Sequence, residues 1–143
     1  MLTYLIDDDI VSLFLTEQVL RLSGFLAPIL PFVGATEALA YLLPRLETDP
    51  PQLIFLDLNM PVMDGWQFLD TLTPYAPALE GRCRIYLLTS SLALADTARA
   101  SSHALAAGII HKPLDDDEVK NILRENADLL REMADQPATE ARK

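Results

Sequence analysis

Residues 53–65 have the sequence LIFLDLNMPVMDG, and this stretch decides the fold class. Its first four residues, Leu53 to Leu56, are apolar without alternation, which is typical of a central strand buried on both faces of a sheet. Asp57 follows the strand, and the loop that it begins leads through Gly65 into a segment with helical spacing. A buried strand that feeds a helix in this way indicates an α/β fold with a parallel sheet.

Apolar runs and helical spacing alternate in both directions from this stretch. Pro28 and Pro31 place the second strand at a sheet edge, and Thr36 is expected to cap a helix that Pro44 ends or kinks. We predict five strands, at residues 3–6, 26–33, 53–56, 84–88 and 108–111, and five helices, at about 9–23, 37–44, 65–77, 92–106 and 115–133. We expect one domain at residues 1–133 and a C-terminal tail at 134–143.

Composition excludes several classes of protein. The chain of 143 residues suits one domain, and half of its residues are hydrophobic, so it is not a disordered chain. It has no apolar run of about 18 residues and no signal peptide, so we expect no membrane segment. A single cysteine, Cys83, suits the cytoplasm. The net charge of −10 and the lack of a basic cluster argue against binding of nucleic acid.

Polar residues fall at the carboxyl ends of four of the five predicted strands. Asp7 and Asp8 follow the first strand, Asp57 the third, Thr89 the fourth and Lys112 the fifth. Ligands of open parallel sheets bind outside these strand ends. Each residue also has an ordinary structural explanation, since the aspartates and Thr89 suit helix caps and Lys112 suits a loop. Their coincidence at successive strand ends favours a functional site.

Three clustered carboxylates constrain the chemistry of such a site. Two like charges about 4 Å apart repel by roughly 4 kcal/mol at an effective dielectric of 20, so the cluster must raise a pKa or bind a cation. Ligands that are all oxygen favour Mg²⁺ over zinc. Asp57 could act as a nucleophile toward phosphorus, while Lys112 and Thr89 supply a positive charge and a hydroxyl to phosphoryl oxygens.

Four segments of this chain resemble the receiver domains of two-component response regulators, of the chemotaxis-regulator type. These segments are Leu5–Asp9, Leu56–Gly65, Leu88–Ser90 and His111–Pro113, and the resemblance covers roughly residues 2–132. It implies a doubly wound, flavodoxin-like fold with a five-stranded parallel sheet in the order 2-1-3-4-5. Because the chain ends soon after the last predicted helix, we expect a stand-alone switch that signals through contacts with a downstream target protein. The mixed helix faces are compatible with a monomer or weak dimer.

The resemblance further implies roles for individual residues. Asp57 would accept a phosphoryl group from a histidine kinase or a histidine phosphotransfer protein. Asp8, Asp57 and the backbone carbonyl of Asn59 would hold Mg²⁺, with Asp7 reaching it through water. Thr89 and Lys112 would contact the phosphoryl oxygens. The bond before the proline that follows the lysine is often cis in this family.

One departure from the family pattern affects the output of the switch. Many receivers have Tyr or Phe three residues before the lysine, and here that position is Ile109. Tyr86, on the fourth strand, could replace that ring, although a tyrosine there more often packs in the core. We expect the downstream target to contact the helix after the fourth strand, the fifth strand and the last helix.

Two other functions remain open from the sequence. A receiver-like binding module without phosphoryl turnover would share the fold, and the missing aromatic residue keeps this alternative open. A Mg²⁺-dependent phosphohydrolase of the haloacid dehalogenase type would share the aspartyl nucleophile. It would also need an acid two residues later, where this chain has Asn59. We therefore expect no enzyme activity beyond the protein's own phosphorylation and dephosphorylation.

Overall fold

A computed structural model describes residues 3–90 and 94–129. The strands are β1 (Thr3–Ile6), β2 (Ile29–Phe32), β3 (Leu53–Asp57), β4 (Arg84–Thr89) and β5 (Ala106–His111). The helices are α1 (Ile10–Leu22), α2 (Ala35–Leu42), α3 (Gly65–Leu72), the short α4 (Ala76–Leu79), α5 (Leu94–Ser102) and α6 (Asp116–Glu125). Two 3₁₀ turns, Leu43–Arg45 and Thr73–Tyr75, follow α2 and α3.

The five strands form one parallel sheet in the order β2-β1-β3-β4-β5. The predicted α/β fold and strand order are therefore confirmed, as is the edge position of the proline-containing strand β2. Strand β3 lies at the centre, and all five of its residues are buried. The strand order brings the carboxyl ends of β1 and β3 side by side, with β4 and β5 continuing the same rim.

Helices cover both faces of the sheet and enclose two hydrophobic cores. Alternate strand residues such as Ile54 and Leu56 pack with α2, α3 and α4 on one face. Their neighbours Leu53 and Phe55 pack with α1 and α6 on the other face. Burial on both faces explains why these strands are continuously apolar.

Several predicted boundaries differ from the structure. Helix α2 begins at Ala35 after Gly34, so the prediction that Thr36 caps it is wrong. Gly34, the residue before the helix, has an extended backbone and offers no side-chain cap to it. Strand β5 begins at Ala106, a residue predicted to end the preceding helix, because Ala106 pairs with Ile85 of β4.

Some sequence predictions fall on residues outside the described part of the chain. These include the end of the last helix near residue 133 and the tail at 134–143. Within residues 3–90 and 94–129, no helix combines the length and the apolar character needed to cross a membrane.

Candidate functional site

The three aspartates after β1 have different environments. Asp7 is buried, and its Oδ1 accepts a hydrogen bond of 3.0 Å from the backbone N–H of Asp9. Asp8 is exposed. The Asp9 side chain caps α1 by accepting hydrogen bonds from the N–H groups of Val11 and Ser12, at 2.9 and 3.3 Å. The capping explanation therefore holds for Asp9, while Asp7 and Asp8 are left facing the rim of the sheet.

Asp57, the last residue of β3, is held at the rim by tight packing against α3. Its side chain is almost fully buried, and Oδ1 accepts a hydrogen bond of 3.4 Å from the N–H of Asn59. Gly65 begins α3, and a Cβ atom at this position would lie 2.9 Å from the Asp57 carbonyl oxygen and 2.7 Å from Leu58 Cδ2. Glycine is needed at this position because the helix approaches the Asp57 backbone so closely. Asp64 forms a capping box with Gln67 that starts the same helix.

Lys112, just after β5, reaches across the rim to the aspartates. Its Nζ donates hydrogen bonds to Asp7 Oδ2 at 2.7 Å and to Ser12 Oγ at 3.0 Å. The same Nζ lies 3.5 Å from Asp57 Oδ1. The peptide bond between Lys112 and Pro113 is cis, as the family resemblance implies. The lysine and the two buried aspartates, which come from three separate strand ends, therefore form one charged cluster.

The electrostatics of the two buried aspartates differ because their partners differ. Burial tends to raise the pKa of Asp7, but hydrogen bonds from Lys112, Ser12 and the Asp9 N–H outweigh this effect and lower it. Burial and the negative charge of Asp7 raise the pKa of Asp57 from 3.8 to about 6, despite attraction from Lys112 and a hydrogen bond from the Asn59 N–H. Asp57 is therefore a carboxylate whose charge is incompletely compensated by the protein.

The carboxylates fit the coordination chemistry of a divalent cation. One oxygen from each of Asp7, Asp8 and Asp57 lies within 4.8 Å of the other two. All three ligand atoms are hard oxygen donors, as Mg²⁺ prefers. The raised pKa of Asp57 indicates that the group of charges would be stabilised by additional positive charge. The donor set therefore suits a magnesium ion.

Thr89 and Asn59 lie at the same rim. Thr89, the last residue of β4, is fully buried and pairs with His111 of β5. Its carbonyl oxygen accepts a hydrogen bond of 2.7 Å from the Lys112 N–H. Asn59 is exposed in the loop after β3. The structure thus brings the predicted site residues together at one rim, and their chemical roles stay predictions.

Tyr86 packs in the core rather than at this rim. Its ring stacks on Phe55, with 6.0 Å between ring centroids, and its hydroxyl donates to Glu125 at 3.1 Å. The same hydroxyl accepts a hydrogen bond of 2.8 Å from the buried Asn126 side chain. Ile109 packs partly buried against the core on the opposite face of the sheet. Packing of Tyr86, the alternative that the sequence favoured, agrees with these contacts.

Two features of α1 were missed by reasoning from the sequence. Ser12 contacts Lys112, a residue 100 positions away, and nothing in local spacing could have indicated this pair. The first two turns of α1 carry four large apolar residues that are more than half exposed: Ile10, Val11, Phe14 and Leu15. Helical spacing identified α1, but the apolar residues on both of its faces hid this surface patch.

Comparison with protein families gives one match over most of the chain. The model described as "Response regulator receiver domain" matches residues 3–124. A comparison with curated proteins finds no match.

Solved structures of similar fold give the same assignment. A two-component response regulator from Cytophaga hutchinsonii is 26% identical with a TM-score of 0.81, over 89% of this chain and 96% of its own. A two-component response regulator from Legionella pneumophila is 26% identical with a TM-score of 0.73, over 88% of this chain and 97% of its own. A CheY-like receiver domain protein from Methanospirillum hungatei shares the fold at 23% identity and a TM-score of 0.68, over 89% and 93%.

Proposed function

This chain belongs to the response regulator receiver domain family, and we propose that it is a signalling switch that accepts a phosphoryl group on Asp57. The observation that carries the proposal is the cluster at the rim of the sheet. There the buried Asp57 carboxylate lies 3.5 Å from the Lys112 ammonium, beside Asp7 and Asp8. A carboxylate nucleophile, a cation and a group of metal-binding oxygens are the parts that phosphoryl transfer to an aspartate requires.

The proposed transfer begins with attack by an Asp57 carboxylate oxygen on the phosphorus of a phosphohistidine. A P–O bond forms as the P–N bond breaks, and the electron pair of that bond returns to the imidazole nitrogen, which takes up a proton from solvent. Lys112 offers its charge to one phosphoryl oxygen, and the Thr89 hydroxyl donates to another. These groups lower the barrier by positioning and charge neutralisation rather than by acid–base catalysis.

Magnesium is the proposed cofactor of this transfer. Asp8, Asp57 and the Asn59 carbonyl would hold it, with Asp7 acting through water. When bound, the ion would neutralise charge on the phosphoryl group. Asp57 needs this help because burial and the charge of Asp7 already disfavour its ionised form.

The exposed face of α1 suits a protein that donates the phosphoryl group. Phe14 and Leu15 are 62% and 57% exposed, and the helix begins immediately after the aspartate cluster. A cleft of about 390 Å³ between α1 and the loop that follows β5 is lined by Val11, Leu15 and Lys112, among others. Exposed apolar patches of this kind are typical of protein–protein contacts. We propose that a histidine kinase or histidine phosphotransfer protein docks here.

The proposed output is a change in protein contacts. The surface formed by α5, β5 and α6 would bind a downstream target in the cytoplasm, with the receiver acting alone as a monomer or weak dimer. Because Ile109 stands where many receivers have an aromatic ring, we propose that phosphorylation is coupled to this output surface through Thr89.

Intact mass spectrometry tests the proposal after incubation with acetyl phosphate and Mg²⁺. We expect a gain of one phosphoryl group that is abolished by EDTA and by Asp57→Asn. Asp117→Asn serves as the matched control, since Asp117 lies exposed in the first turn of α6. If the wild type neither gains a phosphoryl group nor binds beryllofluoride with Mg²⁺, the chain is a receiver-like binding module instead.

A further inference from the structure

Lys112 is held at the rim by two hydrogen-bond partners of different chemical character. Asp7 Oδ2 accepts one N–H at 2.7 Å and Ser12 Oγ accepts another at 3.0 Å. Asp57 Oδ1, at 3.5 Å, is close enough for an ion pair but not for a normal hydrogen bond. An ammonium group has three N–H bonds, so fixing two of them directs the third. The third N–H is used by neither Asp7 nor Ser12, and Asp57 Oδ1 lies within ion-pair distance of the same Nζ.

Ser12 is free to make this contact because Asp9 already caps its helix. Its backbone N–H is bound by the Asp9 carboxylate, and its half-buried side chain faces the rim rather than a carbonyl of its own helix. Serine in the first turn of a helix more often bonds to nearby backbone. A hydroxyl that is instead directed at a lysine 100 residues away suggests a role at the site.

A hydroxyl and a carboxylate hold a lysine with different electrostatic consequences. Asp7 fixes the ammonium but also neutralises its positive charge. Ser12 fixes the same group with a neutral acceptor, so the positive charge remains available to another anion. If Asp7 also takes part in binding a cation, as proposed above, its hold on Lys112 weakens and Ser12 carries more of the restraint.

We propose that Ser12 is a positioning residue that keeps the Lys112 ammonium directed toward Asp57 without neutralising its charge. This inference rests on the proposed function, because it assigns Ser12 a part in phosphoryl transfer to Asp57. The residue is assigned no contact with the phosphoryl group or with Asp57, and its effect on the lysine accompanies its own hydrogen bond to Asp7.

The first test is the rate of phosphoryl gain from acetyl phosphate at saturating Mg²⁺. We expect Ser12→Ala to slow it roughly five- to tenfold, as for loss of one hydrogen bond to a charged group at a partly exposed site. Ser12→Thr keeps the hydroxyl and should restore most of the rate. Ser101→Ala is the matched control, since its exposed hydroxyl donates to a carbonyl of its own helix, at Thr97.

A double-mutant cycle separates positioning from a purely structural role. In a Lys112→Ala background, Ser12→Ala should cause a much smaller loss than in wild type, because the lysine is gone and only the hydrogen bond of Ser12 to Asp7 remains to be lost. Mg²⁺ affinity and the denaturation midpoint should change little in Ser12→Ala. Equal losses in the two backgrounds would overturn the proposal.

Amine labelling tests the same contact without phosphorylation. Acetic anhydride should modify Lys112 several-fold faster in Ser12→Ala than in wild type, with the exposed Lys120 as internal reference. A wild type that neither gains a phosphoryl group nor binds beryllofluoride with Mg²⁺ would reject the proposed function, and labelling would then decide whether Ser12 restrains Lys112. Wild-type labelling of Lys112 in Ser12→Ala, or a wild-type rate in that variant, would overturn the inference about Ser12 alone.

Discussion

Replacing Asp57 with asparagine should stabilise the metal-free protein at neutral and alkaline pH. Burial and the charge of Asp7 raise the pKa of Asp57 from 3.8 to about 6 in the folded state. Between these two values the folded protein binds more protons at this site than the unfolded chain does. Stability is therefore lost as pH rises from about 4 to about 6, and the full cost is present above the folded pKa.

The structure sets the size of this effect. One pKa unit corresponds to about 1.36 kcal/mol, so the raised pKa represents at most about 3 kcal/mol at pH 8. Asparagine has nearly the shape of the carboxyl group and carries no charge, so Asp57→Asn should remove this cost. Since relaxation and water at the rim reduce it, we expect a gain of about 1 to 3 kcal/mol at pH 8. The gain should fall to about a third of that at pH 4.5.

Urea unfolding in EDTA, followed by the fluorescence of the single tryptophan, Trp66, measures this difference. Trp66 is buried against the core on one face of the sheet and should report loss of packing. Asp117→Asn is the control and should change the free energy of unfolding by less than about 0.5 kcal/mol, as exposed positions usually do. If Asp57→Asn is no more stable than wild type at pH 8, or gains equally at both pH values, the electrostatic reasoning is wrong.

Three further changes have distinct expected results. In parallel rate measurements, Phe14→Glu should slow phosphotransfer from the cognate phosphohistidine protein at least tenfold and leave phosphorylation by acetyl phosphate unchanged. An equal loss with both donors would contradict docking on α1. Gly65→Ala should lower the free energy of unfolding by about 2 kcal/mol, since overpacking costs typically 1–3 kcal/mol. The Cβ atom of the alanine would meet Leu58 and the Asp57 carbonyl, and an unchanged urea midpoint would refute this. Asp115→Ala should cost about 1 kcal/mol by removing the capping box of α6, whereas Asp116→Ala, one residue later, should cost less in the same denaturation assay.

The fold and the rim were predictable because they depend on local signals. Continuous apolar runs identified the buried strands, and the strand ends identified where Asp57 and Lys112 would meet. The boundary between α5 and β5, which was predicted wrongly, lacks such a signal. No glycine or proline marks the end of α5 after Ser102, and Ala106 suits a helix by propensity, yet it pairs with Ile85 of β4. Pairing with β4, rather than local helix propensity, therefore sets the boundary between α5 and β5.

The details of the site were less predictable than its position. Reasoning from the residues alone could not exclude that all three aspartates cap α1, because capping depends on where α1 begins. It also could not place Ser12 beside Lys112, because that contact requires the assembled sheet. Contacts between residues distant in sequence were predictable only where strand ends or the family pattern already joined them.

The central claim is that Asp57 itself carries the phosphoryl group, and chemical mapping tests it most directly. Borohydride reduces an aspartyl phosphate to homoserine, which peptide mass spectrometry can assign to a single position. After incubation with acetyl phosphate and Mg²⁺, we expect homoserine at position 57 and unmodified aspartate at positions 7 and 8. Homoserine at another position, or repeated hydrolysis of a phosphate monoester without a trapped intermediate at 57, would contradict the account.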